Sequence, residues 1–449
     1  MFLERSRAPT NQLLYNLLSF SRVGMRAGAA RASESARVAV RARDDVRARR
    51  SRATAATTTT TRAAKSSDGE MDEQRYDAVV VGAGIIGLAC ARELSSRGMK
   101  VVLIDKANIV GAETSSRNSE VLHAGMHYAP GSKKASYCVK GRRMIENYCQ
   151  KKNVTWDNIG KFIVAQAEDQ MDELEAMIAR AEMNGVDDLE LVSKETLVEQ
   201  EKNVRAVAGV WSPSTSIVDS KGLMESFKRD CERDGRTKVI LGDEVMEISR
   251  GLRKTFRVKT KSNLAISAPR LVNAAGLYAH KLTERMFDVY DTVATPTPPS
   301  YFARGMYCGL KKGVPTPFKR LVYPLPREGG LGVHFTRDVN GVCKFGPDIE
   351  WIDDIDYTMK VERVRSFYEA IREYWPGLQD GMLRPAYTGI RPKLINRDGD
   401  TDESGATTDF VIQTECEHGA PGLVQLFGFE SPGLTSCMAI AESVNEFLE

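Results

Sequence analysis

One stretch near the start of the chain's globular part limits the possible folds more than any other. It reads YDAVVVGAGIIGLACARELSSRGMKVVLIDK, from Tyr76 to Lys106. Its short β-branched run, Val79–Val81, predicts a buried parallel strand. A helical pattern follows and ends at Gly98, and a second apolar run ends at Asp105. The stretch therefore predicts a strand–helix–strand unit and, with it, an α/β fold.

Gly82, Gly84 and Gly87 lie at the turn between the first strand and the helix. The first permits the tight turn, the second lets the backbone approach a pyrophosphate, and the third lets helix pack on strand. The pyrophosphate would bind the free amides at the helix start. Asp105, 18 residues after Gly87, is placed to accept hydrogen bonds from a ribose. Together these features favour a dinucleotide site over a glycine-rich turn without a ligand.

A second glycine-rich turn, near the end of the chain, favours FAD over NAD. Gly428 and Gly433 flank Ser431-Pro432, and a helical pattern begins immediately afterwards. A cofactor contacted by both ends of a chain is long, which suits FAD. A helix N-terminus directed at the flavin pyrimidine ring would stabilise the negative charge that develops there on reduction. The segment APRLVNAAGLYA, residues 268–279, is a further β run that ends in small residues.

Charge is distributed unevenly along the chain. The first 70 residues carry 14 Lys and Arg against 6 Asp and Glu, whereas the remainder carries 49 against 54. The basic segment is rich in Arg, Ala, Ser and Thr. It predicts a mitochondrial or chloroplast transit peptide over residues 1–70, with a disordered, uncleaved tail as the alternative. The acidic remainder offers no electrostatic footprint for nucleic acid.

Cysteine spacing and hydropathy argue against cysteine-bound metal sites and against a membrane-spanning helix. The eight cysteines are scattered and none forms a CxxC pair, which disfavours structural zinc and iron–sulfur sites and indicates a reducing compartment. No apolar stretch is long enough to span a bilayer, and three glycines interrupt the longest, Ala78–Ala91.

His123 and His127 lie four residues apart in SSRNSEVLHAGMHYAP, residues 115–130. A zinc site of this spacing needs a helix, a third ligand and usually a glutamate after the first histidine. Gly125 disfavours a helix, and Ala124 stands where the glutamate would be. We therefore expect no metal site. The pair belongs to an active-site loop beside the cofactor or to a packed turn.

The motifs together resemble those of a known family. The strand–helix–strand unit and the segments SSRNSEVLHAGMHY, LVNAAGLY, GLGVHFT, GIRPKL and ESPGLTS are similar to the flavoproteins of the D-amino-acid oxidase superfamily. Within it they resemble the L-2-hydroxyglutarate dehydrogenase family, especially its plant and algal form, from about Tyr76 to Phe447. Most relatives in the wider superfamily carry Glu at the position of Asp105. Both are carboxylates, so ribose recognition is still expected.

The resemblance implies an activity and a set of cofactor contacts. The activity is the FAD-dependent oxidation of L-2-hydroxyglutarate to 2-oxoglutarate in mitochondria, by hydride transfer from C2 to flavin N5. The loop RNSEVLHAG is expected to lie along the flavin, with His123 near the isoalloxazine. The residues expected to contact FAD are Gly82, Gly84, Gly87, Asp105, Lys106, Ser116, Arg117, Asn118, Val245, Ala275, Gly276, Ser431, Pro432, Gly433, Leu434 and Thr435.

Oxidation of a 2-hydroxy acid requires a base for the hydroxyl proton, and histidine is the natural base near neutral pH. Two of the five histidines lie in ordinary contexts, which leaves His123, His127 and His334. His334 lies in a glycine-preceded run, Val333–Thr336, that predicts a strand of the substrate domain. We predict that His334 is the base and that His123 is the second candidate. The alternative is that both are structural histidines.

The substrate carboxylates require a cationic partner. Arginine pairs bidentately with carboxylates, and Arg391 stands in GIRPKL, a turn that lies near the flavin in the superfamily. We predict that Arg391 binds a carboxylate; the alternative is a surface arginine. Lys393 and Arg304 are weaker candidates for the second carboxylate, and Tyr128 and Tyr323 either hydrogen-bond the substrate or merely pack.

We expect two interleaved domains after the leader. A Rossmann-type FAD-binding domain is predicted over residues 76–155, 215–290 and 400–449, and an α+β substrate domain with a mixed sheet over residues 156–214 and 291–399. The substrate domain is predicted to start with the strand KFIVA and a charged helix from Glu168. A proline-rich segment, TVATPTPPSYFARG, is predicted to connect them.

The residues alone leave three functional classes open. They are a hydroxy-acid dehydrogenase, an amino-acid or amine oxidase on the same scaffold, and a non-catalytic or RNA-modifying flavoprotein. The acidic body disfavours RNA. The electron acceptor is also open between a quinone, an electron-transfer flavoprotein and oxygen. No second nucleotide site is visible, so NAD(P) is not implied.

Overall fold

The computed structural model describes residues 73–233, 235–251, 254–287, 289–290, 296–325, 332–396 and 408–449. These residues belong to one compact unit, Glu70–Glu449. The predicted transit segment, residues 1–70, lies outside them. Within the described ranges, every helix is too short or too polar to cross a bilayer.

The described helices are numbered here in chain order. They are α1 (Ile85–Ser96), α2 (Lys133–Lys152), α3 (Met171–Met183), α4 (Lys194–Gln200), α5 (Ser220–Arg233), α6 (Ala279–Thr283), α7 (Val364–Tyr374), α8 (Glu415–His418) and α9 (Gly433–Leu448). Short 3-10 turns occupy Thr114–Ser116, Glu168–Gln170, Gly276–Tyr278 and Val361–Arg363.

The described strands are numbered in the same way. The first fourteen are β1 (Gln74–Arg75), β2 (Ala78–Val81), β3 (Val101–Asp105), β4 (Val121–Leu122), β5 (Trp156–Asp157), β6 (Lys161–Ala165), β7 (Glu190–Ser193), β8 (Ala208–Ser212), β9 (Ser216–Val218), β10 (Thr237–Leu241), β11 (Val245–Arg250), β12 (Phe256–Thr260), β13 (Ala265–Ala268) and β14 (Arg270–Asn273). The others are β15 (Met286–Phe287), β16 (Tyr301–Leu310), β17 (Leu321–Pro324), β18 (Phe335–Arg337), β19 (Cys343–Phe345), β20 (Glu350–Ile352), β21 (Leu383–Lys393), β22 (Val411–Gln413) and β23 (Leu423–Phe427).

A six-stranded sheet contains the predicted strand–helix–strand unit. Its order is β10-β3-β2-β14-β23-β22, and its pairs are parallel except for β22 with β23. Alternate residues of β2 face opposite sides, and both sides are buried. Val80 packs in the core that contains α1 and α9, whereas Val79 packs in the core that contains β11, β12 and β13. Burial on both sides explains why β2 is apolar throughout.

A nine-stranded mixed sheet forms the second layer of the molecule. Its main path is β20-β16-β19-β18-β17-β6-β8-β7, and β21 pairs with β16. The pair β6 and β17 is parallel, whereas the other pairs are antiparallel. Helix α7 packs Phe367, Ile371 and Tyr374 in the same core as Phe335 and Phe345 of this sheet. The α/β fold class and the mixed sheet are therefore confirmed.

Two smaller sheets complete the fold. One has the order β1-β13-β12-β11-β15, and the other joins β4, β9 and β5. The division into two interleaved domains stays a prediction, since the described residues belong to one compact unit. It agrees with sheet membership, because the nine-stranded sheet draws only on residues 161–212 and 301–393.

Two predicted elements begin later than the sequence patterns indicated. The strand expected at Val333–Thr336 begins at Phe335, so His334 lies in the loop immediately before β18. The charged helix expected from Glu168 begins at Met171, after a 3-10 turn.

Candidate active site

A cavity of about 660 Å³ lies against both large sheets. That volume is within the range of roughly 300–1,000 Å³ found for ligand and cofactor sites. The lining comes from the glycine turn after β2, the loop after β3, the start of α9, helix α3, and strands β17 and β21. Residues distant in sequence therefore meet around one space.

The glycine turn leaves room for a ligand at one glycine and is closed by protein at the other two. A Cβ on Gly82, whose φ is +109°, would lie 2.3 Å from the Ala274 carbonyl oxygen, and a Cβ on Gly87 would lie 1.9 Å from the Gly82 carbonyl oxygen. Neither position tolerates a side chain. A Cβ on Gly84 would meet only Ser115 Oγ, at 3.1 Å. Gly82 and Gly84 line the cavity, whereas Gly87 does not and serves the packing of helix on strand.

The carboxylate at the end of β3 organises the same turn. Asp105 accepts hydrogen bonds from the amides of Ala83 at 2.6 Å and Ala107 at 2.8 Å. Each carboxylate oxygen can accept a further hydrogen bond, so the group remains competent to bind a ribose hydroxyl. The other residues predicted at this end also line the cavity: Lys106, Val245, Ala275 and Gly276.

The loop after β3 corrects one predicted contact. Ser116 is exposed and does not line the cavity; its hydroxyl donates within its own turn to the carbonyls of Ala112 and Glu113. Ser115 lines the cavity instead, and its Oγ accepts a hydrogen bond from the Ile85 amide at 3.0 Å. The 3-10 turn Thr114–Ser116 rotates the two serines to different sides. Arg117 and Asn118 line the cavity as predicted.

This loop is also bonded to β21, the strand that carries Arg391. Thr114 Oγ1 donates to the Ile390 carbonyl at 3.0 Å, and Arg117 Nη1 donates to the Thr388 carbonyl at 3.2 Å. A Cβ on Gly389 would lie 2.4 Å from the Arg117 carbonyl oxygen, so glycine is needed for this approach. The loop after β3 and the strand β21 are therefore held at a fixed separation.

The N-terminus of α9 lines the cavity, and no side chain of the N-cap residue caps it. Pro432 is its N-cap residue, and the predicted contacts Ser431, Pro432, Gly433, Leu434 and Thr435 all line the cavity. Thr435 Oγ1 accepts from the His123 amide at 3.1 Å and donates to the Val121 carbonyl at 3.3 Å. The helix start thereby positions the backbone of the histidine loop.

These residues fit FAD. The starts of α1 and α9 both line one cavity, and neither N-cap residue bonds the helix through its side chain. Amides and positive dipole ends at both places suit a pyrophosphate and a reduced flavin ring. Gly84 leaves open the volume that a side chain would fill.

Three histidines and a tyrosine line the other part of the cavity: His123, His127, His334 and Tyr323. The rings of Tyr323 and His334 are stacked, with centroids 3.9 Å apart and planes 5° apart. Nδ1 of His123, Nδ1 of His334 and the Tyr323 hydroxyl are buried without a hydrogen-bond partner among the described residues. These three atoms are therefore available to hydrogen-bond a polar ligand in the cavity.

Burial and nearby cations keep the histidines neutral. Burial is the main cause that lowers the pKa of His334 to about 3, and the charges of Arg391 and Lys161 add to it. Burial also lowers the pKa of His123 well below its usual value, with contributions from Lys161, His334 and Arg391. A neutral imidazole can accept a proton, so both predicted candidates are in the form that a base requires.

Arg391 belongs to a charge cluster that lines the cavity. Its guanidinium lies 3.4 Å from Glu430, and the same carboxylate pairs with Lys393 at 2.7 Å and Lys134 at 3.2 Å. Burial opposes the charge of Glu430, but the three cations outweigh it and lower its pKa to about 2. The cluster thus carries three positive charges against one negative charge, which leaves capacity for a carboxylate ligand.

Arg304, a weaker candidate for a carboxylate partner, is placed elsewhere. Its guanidinium is engaged by Glu350 at 2.8 Å and Asp356 at 2.6 Å, and it does not line the cavity. Sequence reasoning missed this because a surface ion-pair partner 46 residues away leaves no local pattern. Tyr128 and Lys393 line the cavity, whereas His280 and His418 do not.

Sequence reasoning also missed Ser115, Glu430 and Lys161. Ser115 adjoins the predicted contacts, and Glu430 directly precedes the predicted Ser431. Lys161 opens the apolar run KFIVA, where a lysine is normally taken as the solvated end of a strand; it has no exposed surface. In the described part of the chain, no group of three or more His, Cys, Asp or Glu is placed to hold a metal ion.

Comparison with known proteins shows clear similarities. The profile of the family described as FAD dependent oxidoreductase (DAO) matches residues 77–446. The mitochondrial L-2-hydroxyglutarate dehydrogenase of Arabidopsis thaliana is 40% identical over 84% of this chain and 84% of its own length. That of Homo sapiens is 31% identical over 82% of this chain and 87% of its own length. A solved structure of L-α-glycerophosphate oxidase from Mycoplasma pneumoniae with FAD bound has a TM-score of 0.73 and 25% identity, and covers 84% of this chain and 95% of that chain.

Proposed function

Because the chain belongs to the FAD-dependent oxidoreductase (DAO) family, we propose that it is an FAD-dependent dehydrogenase that oxidises L-2-hydroxyglutarate to 2-oxoglutarate. One observation carries the proposal. A continuous cavity joins the glycine turn of a dinucleotide site to neutral histidines and to a half-buried arginine. The plant and human relatives support the choice of substrate.

FAD, when bound, supplies the acceptor for the hydrogen and two electrons that leave C2 of the substrate. The residues proposed to hold it are those of the glycine turn, Asp105, the loop that contains Ser115, and the start of α9. The predicted contact at Ser116 is replaced by Ser115.

Arg391 is proposed to bind the C1 carboxylate. Its pairing with Glu430 and the bonds between β21 and the loop after β3 hold it at the cavity wall. A planar guanidinium fixes the orientation of a carboxylate as well as its position. Binding there would align C2 for the transfer of its hydrogen.

His334 is proposed to accept the hydroxyl proton at Nδ1, and His123 is the second candidate. The stacked Tyr323 ring orients His334, and its Nδ1 is free among the described residues. The charge of Arg391 depresses the pKa of His334. A substrate carboxylate paired with Arg391 offsets that charge, so the histidine becomes a stronger base when the substrate is bound.

Anaerobic mixing of the purified holoenzyme with L-2-hydroxyglutarate tests the function directly. We expect the yellow absorbance of the flavin to bleach with this substrate and not with its D-enantiomer. L-Glutamate and glycerol 3-phosphate test the amine-oxidising and phosphate-ester alternatives. Bleaching by either of them, without bleaching by L-2-hydroxyglutarate, would disprove the proposal.

The electrons then leave to a second partner. The proposed acceptors are a quinone, an electron-transfer flavoprotein or oxygen, and steady-state rates with each of the three identify the acceptor. The names of the relatives and the basic composition of residues 1–70 support a mitochondrial location. Fusion of this segment to a fluorescent protein tests the location, since import into chloroplasts or a diffuse signal would contradict it.

A further inference from the structure

Lys161 is a buried cation that the proposed reaction does not use. It begins β6 and has no exposed surface. Within the described ranges, no Asp or Glu forms an ion pair with it, and its Nζ bonds only to His127 Nε2, at 3.4 Å. The same Nζ lies 4.8 Å from the centroid of the Tyr323 ring. A buried ammonium group without a carboxylate is strongly unfavourable, so the position calls for an anion.

His127 connects this lysine to the cavity. A lysine ammonium only donates hydrogen bonds, so the bond from Lys161 requires that His127 Nε2 accept. The neutral imidazole then carries its proton on Nδ1 and can donate it to a ligand. His127 lines the cavity and is exposed there, whereas Lys161 lies behind it. The pair can therefore present a positive potential to an anion that contacts His127.

Arg180 adds a second cation whose charge acts on His127. It lies on α3, lines the cavity, and bonds the Met126 carbonyl through Nε at 3.4 Å. Its charge acts on His127, whereas the charge of Arg391 acts on His123 and His334. Glu173, on the same helix, also lines the cavity but is exposed to solvent. The charge of Lys161 thus acts on all three histidines, whereas that of Arg180 acts on His127 and that of Arg391 on His123 and His334.

We propose that His127, backed by Lys161 and flanked by Arg180, binds the distal carboxylate of the substrate. This inference rests on the proposed function, because it assigns the second carboxylate of a dicarboxylic 2-hydroxy acid. It also gives the site its specificity. A monocarboxylic 2-hydroxy acid can pair with Arg391 but leaves the Lys161 charge without a counter-ion.

Two substrates of equal chain length separate this role from a general loss of activity. L-2-Hydroxyglutarate and L-2-hydroxypentanoate differ only in the distal carboxylate, which is a methyl group in the second. Lys161→Met should lower kcat/KM for the dicarboxylate by roughly 30-fold or more, the range for a truncated buried charge contact. The value for L-2-hydroxypentanoate should fall much less, because any effect of the lost charge on the pKa of His334 applies to both substrates and cancels in the ratio of the two values.

Lys344→Met is the matched control. Lys344 is a buried lysine of the same nine-stranded sheet, but it pairs with Glu120 at 2.6 Å and does not line the cavity. Its loss should leave the ratio of the two kcat/KM values unchanged. A Lys161→Met enzyme that retains FAD and also keeps the ratio of the parent would overturn the assignment.

A binding measurement decides the matter where Lys161→Met does not fold. Glutarate and pentanoate are titrated into the parent and His127→Leu holoenzymes, because leucine can neither accept from Lys161 nor donate to a carboxylate, and the flavin absorbance reports each Kd. We expect the Kd for glutarate to rise by about tenfold or more and that for pentanoate to stay constant. Equal changes for both acids would overturn the proposal. The parent enzyme is tested first, since a parent that fails to oxidise L-2-hydroxyglutarate disproves the function, whereas an unchanged ratio in an active enzyme disproves only the distal subsite.

Discussion

The two ends of the cavity are built in different ways. At the glycine turn, the protein offers backbone amides and space, and a Cβ on Gly84 would meet only one side-chain oxygen. At the histidine end, it offers charged and polar side chains, including the buried Lys161 and Glu430 and the half-buried Arg391. The first end is sensitive to added volume and the second to changed charge. Substitutions of each kind should therefore act on different steps.

The largest effect is expected from Gly84→Val, which adds volume at the glycine turn. The side chain would occupy the space of the pyrophosphate, so the purified protein should contain no FAD. Gly84→Ala adds only one methyl group. The variant protein should still fold, and it should bind FAD more weakly than the parent does. The flavin-to-protein absorbance ratio measures both. A Gly84→Val protein with stoichiometric FAD would show that the cofactor lies elsewhere.

His334→Ala changes the histidine end of the cavity and should leave FAD bound. Loss of a general base typically lowers the rate by about 10²- to 10⁴-fold. Stopped-flow reduction of the flavin without oxygen measures this rate, with His123→Ala alongside and His280→Ala, which lies outside the cavity, as control. If only His123→Ala is slow, the two roles are exchanged. If neither is slow, the base is not a histidine.

Arg391→Met should reduce kcat/KM for L-2-hydroxyglutarate by roughly 30-fold or more. Removing one partner of a desolvated charge pair costs about 2–5 kcal/mol, and the variant also leaves Glu430 with one cation fewer. Arg391→Lys should restore only part of the loss, because an ammonium group does not provide a planar fork. A value for Arg391→Met within about threefold of the parent, with FAD intact, would make Arg391 structural and shift the role to Lys393.

The smallest change is expected from pH. Burial lowers the pKa of His334 to about 3, so this residue stays neutral throughout the range from pH 5 to pH 7. Its ability to accept a proton is lost only as the pH falls toward that value. The kcat/KM value, which reports the free enzyme, should therefore change by less than about threefold between pH 7 and pH 5. A base with an ordinary histidine pKa would lose roughly 20-fold over the same range, and that result would contradict the assignment.

The same contrast explains what the sequence could predict. The glycine turn, Asp105 and the start of α9 are local patterns, because one short segment holds both the backbone geometry and the residues that require it. The fold class followed from the first strand–helix–strand unit and the family resemblance. The choice between Ser115 and Ser116 depends on a single 3-10 turn, which no periodicity reveals.

The histidine end of the cavity could be predicted from the sequence only in part. Histidine and arginine suggest chemistry by residue type alone, so His334 and Arg391 could be chosen as candidates, and both line the cavity. Lys161 was not, because its burial arises from pairing of β6 with β8 and β17, whose residues are far away in sequence. The ion pairs of Arg304 with Glu350 and Asp356 could not be predicted either, because these partners are also far away in sequence.

The bonds between the loop after β3 and β21 form a physical connection between the two ends of the cavity. Thr114 and Arg117 bond the strand that carries Arg391, and Gly389 allows the backbones to meet. A displacement of that loop on binding of one ligand would therefore be transmitted to β21 and to Arg391. Such coupling is reciprocal: the factor by which FAD tightens the binding of a dicarboxylate is the factor by which the dicarboxylate tightens the binding of FAD. The affinity of the enzyme for FAD is thus also a measure of how tightly the dicarboxylate binds.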